Sequence, residues 1–226
     1  MNYKIMGNNL QIVEIELEPG ENVYSESGTM KYMSESVVMD TNTRGGLLKG
    51  LKRSFSGDTL FITNFKSENK KGIVAFGGTF PGKIIPLDMQ GRSYICQGSS
   101  FLCAQDGVDV DLSIQKKLGS AVFGGEGFLL QKISGNGTAF IAACGDVAEF
   151  DLQPGQILKV STSNAVLWEE SVQYEIQRVK GVKNMLFSGE GLFITILHGP
   201  GKVIVQSMTP RDLAFAIYEL IPHNQG

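Results

Sequence analysis

Short stretches of alternating apolar and polar residues run along most of the chain. They are clearest at residues 10–17 and 147–152, and glycine, asparagine and proline bound them. A further stretch at 192–197 is joined to another at 202–207 by the turn-forming residues 198–201. The pattern predicts many short antiparallel strands, each with one buried face, and places the protein in the all-β class.

One sequence motif occurs three times. It reads Phe, small residue, Gly, acidic residue, small residue and three apolar residues, at 55–62, 123–130 and 187–194. The copies begin 68 and 64 residues apart. A second motif, a four-residue turn, keeps the same order and ends in Gly20, Gly91 and Gly155. Two motifs in one register indicate an internal repeat.

The repeat predicts three structural copies, at residues 8–78, 79–144 and 145–207, within a single domain that spans 1–226. None of the three could bury a face alone, so we expect them to share one core. The simplest arrangement is a prism with pseudo-threefold symmetry, in which the first repeat meets the third and few strand edges stay open.

The C-terminal residues follow a different pattern, which predicts a helix at 209–221. Thr209 is suited to cap it, Pro210 to occupy its first turn and Pro222 to stop it. Apolar residues recur at helical spacing, and this stripe is expected to dock: Leu213, Ala216, Ile217 and Leu220. Phe215 and Tyr218 lie off the stripe and need cover. Together with open strand edges, they predict self-association into a homo-oligomer.

Composition and charge narrow the class of partner and the cellular compartment. The 226 residues are 42% apolar and 19% charged, which is enough to bury a core. A net charge of −3 lacks the positive excess typical of duplex nucleic-acid binding. Cys96, Cys103 and Cys144 lack metal-ligand spacing and lie in apolar stretches, which indicates reduced, buried thiols. No apolar stretch has the length of a membrane span or signal sequence, so we expect a cytoplasmic protein.

These residues resemble a known family. The repeated motif, the segments 45–48 and 52–55, and Phe-Pro-Gly-Lys-Ile at 80–84 are similar to the altered-inheritance-of-mitochondria family, member twenty-four type, over roughly residues 8–208. The resemblance implies a jelly-roll β-sandwich like that of the tryptophan RNA-binding attenuation protein, triplicated in one chain. It implies no catalytic residue. For the yeast member it implies a role in organising the mitochondrial inner membrane.

The acidic residue of the repeated motif is the first candidate site. It is Asp58, Glu126 and Glu190 in the three copies. Threefold repetition would place these carboxylates at equivalent positions on one end of the prism, where they could hold a cation. Alternatively, each carboxylate accepts a backbone N–H in its own turn, which is the interpretation we favour.

A basic segment is the second candidate. Residues 45–54 interleave leucines with Lys49, Lys52 and Arg53. Such a segment could contact an anionic membrane or RNA phosphates. Alternatively, its leucines pack on the protein's own surface and its lysines stay in solvent, which we favour.

Few groups in the sequence are suited to catalysis. The two histidines, His198 and His223, lie in a turn and near the C-terminus, and there is no nucleophile elbow or phosphate loop. We therefore expect no enzyme, metal site or cofactor, and interpret the protein as a non-enzymatic β-rich assembly or binding module. The alternative, based on the resemblance, is an RNA-binding or small-ligand-binding protein.

Overall fold

The computed structural model describes residues 1–40, 62–111, 129–178 and 193–222, and the structural statements below concern these ranges. They contain one α-helix, α1 (Pro210–Leu220), and a short 3-10 turn at Thr162–Asn164. All other regular elements are strands, so the all-β class with a C-terminal helix is confirmed. The strands are β1 (Asn2–Met6), β2 (Ile12–Leu17), β3 (Asn22–Glu26), β4 (Met30–Met33), β5 (Val37–Asp40), β6 (Ile62–Ser67), β7 (Gly72–Gly77), β8 (Gly82–Asp88), β9 (Tyr94–Gln97), β10 (Phe101–Gln105), β11 (Val108–Asp111), β12 (Leu130–Gly135), β13 (Thr138–Cys144), β14 (Val147–Leu152), β15 (Ile157–Ser161), β16 (Ala165–Glu169), β17 (Gln173–Arg178), β18 (Phe193–His198) and β19 (Gly201–Gln206).

The described strands form four sheets. Sheet A has the order β1-β2-β7-β4, and sheet B the order β5-β6-β3-β10-β13-β8. Sheet C has the order β11-β12-β9-β16-β19-β14, and sheet D the order β15-β18-β17. The chain divides into two compact units. The first unit is Met1–Ser93, Ser99–Asp111 and Ile133–Ala142, and the second is Tyr94–Gly98, Leu112–Lys132 and Ala143–Gly226.

One order of strand pairing occurs in all three predicted repeats. Each repeat contributes six described strands, beginning with β2, β8 and β14. In each, the sixth strand pairs with the first and the third, while the fifth pairs with the second and the fourth. A pseudo-threefold axis, a jelly-roll class and a single domain are finer statements, and these stay predictions.

A hydrogen bond between the third and sixth strands also recurs. A side chain at the end of the third strand accepts it from a backbone N–H near the start of the sixth. The pairs are Ser34 Oγ with Ile73 N–H at 3.0 Å, Gln105 Oε1 with Thr138 N–H at 2.8 Å, and Glu169 Oε2 with Lys202 N–H at 3.0 Å. Three different side chains thus satisfy the same backbone donor, which fixes where the third strand ends.

The core of the first unit follows from the alternation in β2. Val13, Ile15 and Leu17 are fully or almost fully buried, as the period of two predicts. They belong to one cluster with side chains of sheets A and B, including Phe65 and Phe76. The rings of these two phenylalanines meet edge to face with centroids 5.2 Å apart.

The core of the second unit is built around Trp168. This side chain is fully buried, and its ring lies 5.0 Å from that of Tyr174, centroid to centroid. It shares a cluster with Ile95, Leu130 and other apolar residues of sheets C and D.

A polar contact occurs at the start of the fifth strand in each repeat, part-buried in the first repeat and buried in the other two. The hydroxyl oxygens of Ser27 and Thr63 are 3.3 Å apart, and those of Thr162 and Thr195 are 3.1 Å apart. In the second repeat the longer Gln131 donates from Nε2 to the carbonyl oxygen of Gly98 at 3.2 Å. The glutamine is thus placed where its partner has no side chain.

Helix α1 begins as predicted but is not packed as predicted. The Thr209 hydroxyl accepts the N–H of Asp212 at 3.1 Å, and the Asp212 carboxylate accepts the N–H of Thr209 at 2.9 Å. This capping box, with Pro210 in the first turn, fixes the start of the helix. No residue of α1 is buried, and only Pro210 and Leu213 are half-buried. The expected docking of its stripe is therefore not made by the described residues of the chain.

Candidate functional site

Both sites predicted from the sequence lie outside the described residues. This applies to the acidic residues Asp58, Glu126 and Glu190, and to the basic residues Lys49, Lys52 and Arg53. A shared cation site, separate turn contacts, and membrane or phosphate contacts therefore stay predictions. The described residues offer other candidates, which are a group of cysteines, a cleft, a helix face and a strand edge.

The cysteines are buried and have low reactivity. All three are free thiols. Burial raises the pKa of Cys96 to about 12 and that of Cys103 well above its ordinary value. Burial, and then the charge of Asp212, raise the pKa of Cys144. Thiols in this state stay protonated at neutral pH and are poor nucleophiles. Nor do the described residues bring three or more His, Cys, Asp or Glu side chains together as metal ligands.

A cleft of about 290 Å³ lies in the first unit, among residues that include Glu21, Gln105 and Asn136. Its volume is at the low end for small-molecule sites. Two of its polar side chains already serve the protein's own backbone. Glu21 Oε2 accepts the N–H of Glu18 at 2.9 Å, and Gln105 Oε1 accepts that of Thr138. These contacts hold a turn and the end of a strand in place, so they do not favour a ligand.

The face of α1 is a stronger candidate. Five large apolar side chains in and just after the helix are each more than half exposed: Phe215, Ile217, Tyr218, Leu220 and Ile221. The Arg211 guanidinium lies over the Phe215 ring, 5.3 Å from its centroid. Exposed apolar patches of this kind mark interaction surfaces in soluble proteins. Among the described residues, no helix has the length and apolar character needed to cross a membrane.

The edge of β2 shows how the protein covers a strand. β1 pairs with it antiparallel, with Lys4 opposite Glu14. Lys4 Nζ lies 2.7 Å from Glu14 Oε1, and the Tyr32 hydroxyl donates to Glu14 Oε2 at 2.6 Å. These hydrogen bonds, that from Lys4 first, lower the pKa of Glu14, and Glu14 raises the pKa of Lys4. Beneath this surface Ile15 is fully buried.

No described strand covers the edge of β14 in this way. Among the described strands β14 pairs with β19 alone and ends sheet C. Phe150, which takes the place of Ile15, is 38% exposed, and Glu149 and Asp151 on either side of it are exposed. Lys202 Nζ of the neighbouring strand lies 2.8 Å from Glu149 Oε2. The edge is therefore apolar at its centre and acidic on its flanks.

Sequence reasoning identified the helix and its exposed aromatic residues but not the two edges. β1 precedes residue 8, where the first predicted repeat begins, so it was not assigned to any repeat. Its signal was present as the alternation of Tyr3, Lys4 and Ile5, with a basic residue that complements the acidic positions of β2.

Comparisons with known proteins agree with the fold and with the resemblance seen in the sequence. An uncharacterised protein of Streptococcus pyogenes serotype M6 is 30% identical over 219 residues, which cover 93% of this chain and 87% of that protein. An X-ray crystal structure of a Streptococcus pyogenes protein, a structural genomics target, has a TM-score of 0.80 at 25% identity, and the match covers 97% of this chain and 99% of that one. A likeness to the tryptophan RNA-binding attenuation protein stays a prediction. The family model described as Mitochondrial biogenesis AIM24 matches residues 3–208, and the chain therefore belongs to that family.

Proposed function

We propose that the protein is a non-enzymatic binding module that assembles with a second copy of itself through α1. The observation that carries this proposal is the exposed apolar face of the helix. Its side chains would gain stability by burial against a partner, at roughly 25 cal/mol for each Å² of apolar surface removed from water. The capping box holds the helix in place at its start, so the face is already formed before a partner arrives.

The charges on α1 favour a second copy as the partner. Arg211 and Glu219 lie four residues before and after Phe215. In an antiparallel helix pair centred on Phe215, Arg211 of each copy would therefore lie opposite Glu219 of the other. An anionic membrane is a poorer partner, because helices that lie on membranes carry lysine and arginine on their polar face. Here that face contains Asp212 and Glu219 beside one arginine.

The setting we propose is the cytoplasm. Three free, buried cysteines are typical of a reducing compartment. The alternative role in RNA binding makes a different prediction, since phosphate contacts weaken steeply as salt rises. Retention on immobilised RNA that disappears between low and physiological salt would favour that alternative over assembly.

Light scattering after size-exclusion chromatography tests the assembly. The wild type is expected at a multiple of 24.5 kDa, and Ile217→Asp at 24.5 kDa with an unchanged far-UV spectrum. Val38→Asp is the matched control, because Val38 is a 44% exposed apolar residue on β5. Arg211→Glu should weaken assembly and Glu219→Arg in the same chain should restore it. A wild type that stays at 24.5 kDa at about 0.5 mM, or an Ile217→Asp variant with the wild-type mass, contradicts the proposal.

A further inference from the structure

Three equivalent strands have three different edges. β2, β8 and β14 are the first strands of the three predicted repeats, and each pairs with the sixth strand of its repeat. The second edge of β2 is covered by β1. β8 is the edge strand of sheet B, and Gln11 bonds the backbone near its start, at Gly82 and Ile84. Further along, β8 carries an exposed proline, Pro86, which lacks the N–H that a further strand would use. β14 ends sheet C, and no residue of the strand is a proline.

β14 is similar to β2 in sequence and register. Residues 13–17 read Val-Glu-Ile-Glu-Leu and residues 148–152 read Ala-Glu-Phe-Asp-Leu, and Pro-Gly follows one residue after each. The last residue of each strand pairs with the first glycine of the sixth strand. The surface that accepts β1 on β2 therefore has a counterpart on β14. The difference is that an aromatic ring is exposed there.

The backbone of β14 is oriented to accept a strand. In an antiparallel sheet, successive residues direct their N–H and C=O groups to opposite neighbours. In β19 the N–H of Lys202 points towards β16, where Glu169 Oε2 accepts it. The next residue, Val203, therefore points towards β14, where it pairs with Phe150. It follows that the residues on either side of Phe150 direct their backbone groups to the open edge.

From this geometry we propose that β14 binds an extended segment of a partner protein by strand addition. The segment runs antiparallel to β14 and has a lysine or arginine between two apolar residues. Its apolar residues lie opposite Ala148 and Phe150, and its cation lies opposite Glu149. β1 on β2 is the precedent within the same chain, with Lys4 on Glu14 and apolar neighbours on either side.

A second copy of this chain does not fit the same edge. Two β14 strands that pair with their apolar faces aligned place an acidic residue opposite an acidic residue, whichever register is chosen, and like charges directly opposite are destabilising. The β1 strand of a second copy is already used on its own β2, so its transfer would uncover one edge to cover another. The proposed surface contains no residue of α1, so the inference does not rest on the proposed assembly.

The test uses a peptide whose sequence is known to pair in this way. The probe is a fluorescein-labelled peptide with the β1 sequence Asn-Tyr-Lys-Ile-Met, and the readout is fluorescence anisotropy with the full chain. We expect saturable binding. A peptide with Glu in place of its lysine should bind about fivefold more weakly, the effect of exchanging an exposed attraction for a repulsion.

Two variants assign the binding to β14. Glu149→Lys should reverse the preference, so that the Glu peptide binds more tightly than the Lys peptide. Asp151→Pro removes one N–H from the open edge without touching the bonds to β19, and should weaken both peptides about tenfold or more. Glu175→Lys, a charge reversal on the edge strand β17, is the matched control and should leave both affinities unchanged.

Several results would overturn the proposal. They are an absence of saturable binding at about 1 mM peptide, equal binding of both peptides, or the same preference in Glu149→Lys as in the wild type. If Asp151→Pro does not fold, the peptide preference of Glu149→Lys compared with that of the wild type still tests the proposal. Repeating the titration with Ile217→Asp separates this surface from α1, because strand addition predicts unchanged binding whether or not the assembly proposal holds.

Discussion

The buried contact between Thr162 and Thr195 gives a sharp test of how polar groups specify the second unit. Their hydroxyl oxygens are 3.1 Å apart, and the two residues are 2% and 0% exposed. Thr195→Val keeps the branched shape of the side chain but removes the donor. The Thr162 hydroxyl then loses its partner in a site that water does not reach, and a buried polar group without a partner costs about 1–3 kcal/mol.

We therefore expect each single variant, Thr162→Val or Thr195→Val, to lower the free energy of unfolding by about 1.5 kcal/mol. The double variant removes both hydroxyls and leaves no unpaired group, so its loss should be only about 1 kcal/mol. The two changes together thus cost about 2 kcal/mol less than their sum, which is a coupling typical of groups in direct contact.

Urea titration followed by tryptophan emission measures these changes. The chain has one tryptophan, Trp168, and it is fully buried in the core of the second unit. Its emission therefore reports the unit that contains both threonines. Ser161→Ala is the control, because Ser161 makes no capping hydrogen bond at the neighbouring 3-10 turn. If the double variant equals the sum of the single variants within about 0.5 kcal/mol, the two hydroxyls act independently and the reasoning fails.

Three further predictions concern other contacts. Gly201→Ala should lower stability by about 2–4 kcal/mol in a thermal melt, since Gly201 has φ +142° and a Cβ there would lie 2.6 Å from Ser171 Oγ. Thr209→Ala should cost about 1 kcal/mol and reduce the helical signal in far-UV circular dichroism, because the helix loses its cap. Lys4→Met should reduce the loss of stability on acidification. The lowered pKa of Glu14 adds stability above its ordinary pKa of 4.5, and this is lost as pH falls through the folded value. Melting temperatures at about pH 7 and pH 3 check this, and equal losses in both proteins would contradict it.

The elements that the sequence predicted are those with a local physical cause. The strand at 10–17 follows from an alternation whose period matches a pleated strand. Helix α1 follows from Thr209 and Pro210, which need only their own neighbours to act as a cap. The single α-helix among the described residues and the all-β class could therefore be derived without any long-range contact.

What the sequence could not supply is the choice of partner for each surface. The period of α1 showed that one face is apolar, but period alone does not tell whether such a face packs on its own chain or stays exposed. The sequence also could not identify the side chains that bond the sixth strand of each repeat. Serine, glutamine and glutamate fill one role at Ser34, Gln105 and Glu169, so no shared residue marks the position. The acidic and basic candidates, Asp58 and Lys49 among them, stay predictions.

Repetition of one strand pattern creates the same open edge several times, and each copy needs its own solution because open edges invite unwanted pairing. In β2 the solution is an added strand, and in β8 it is Pro86 together with Gln11, which bonds the backbone of Gly82 and Ile84. Among the described strands none is added to β14, which also contains no proline, and its central residue is aromatic instead of a smaller aliphatic one. Features that all three repeats share maintain the fold. A feature found in one repeat alone is not needed for the strand pairing that all three have in common. The position where the third repeat departs from the other two is therefore where an interaction specific to this protein is best sought.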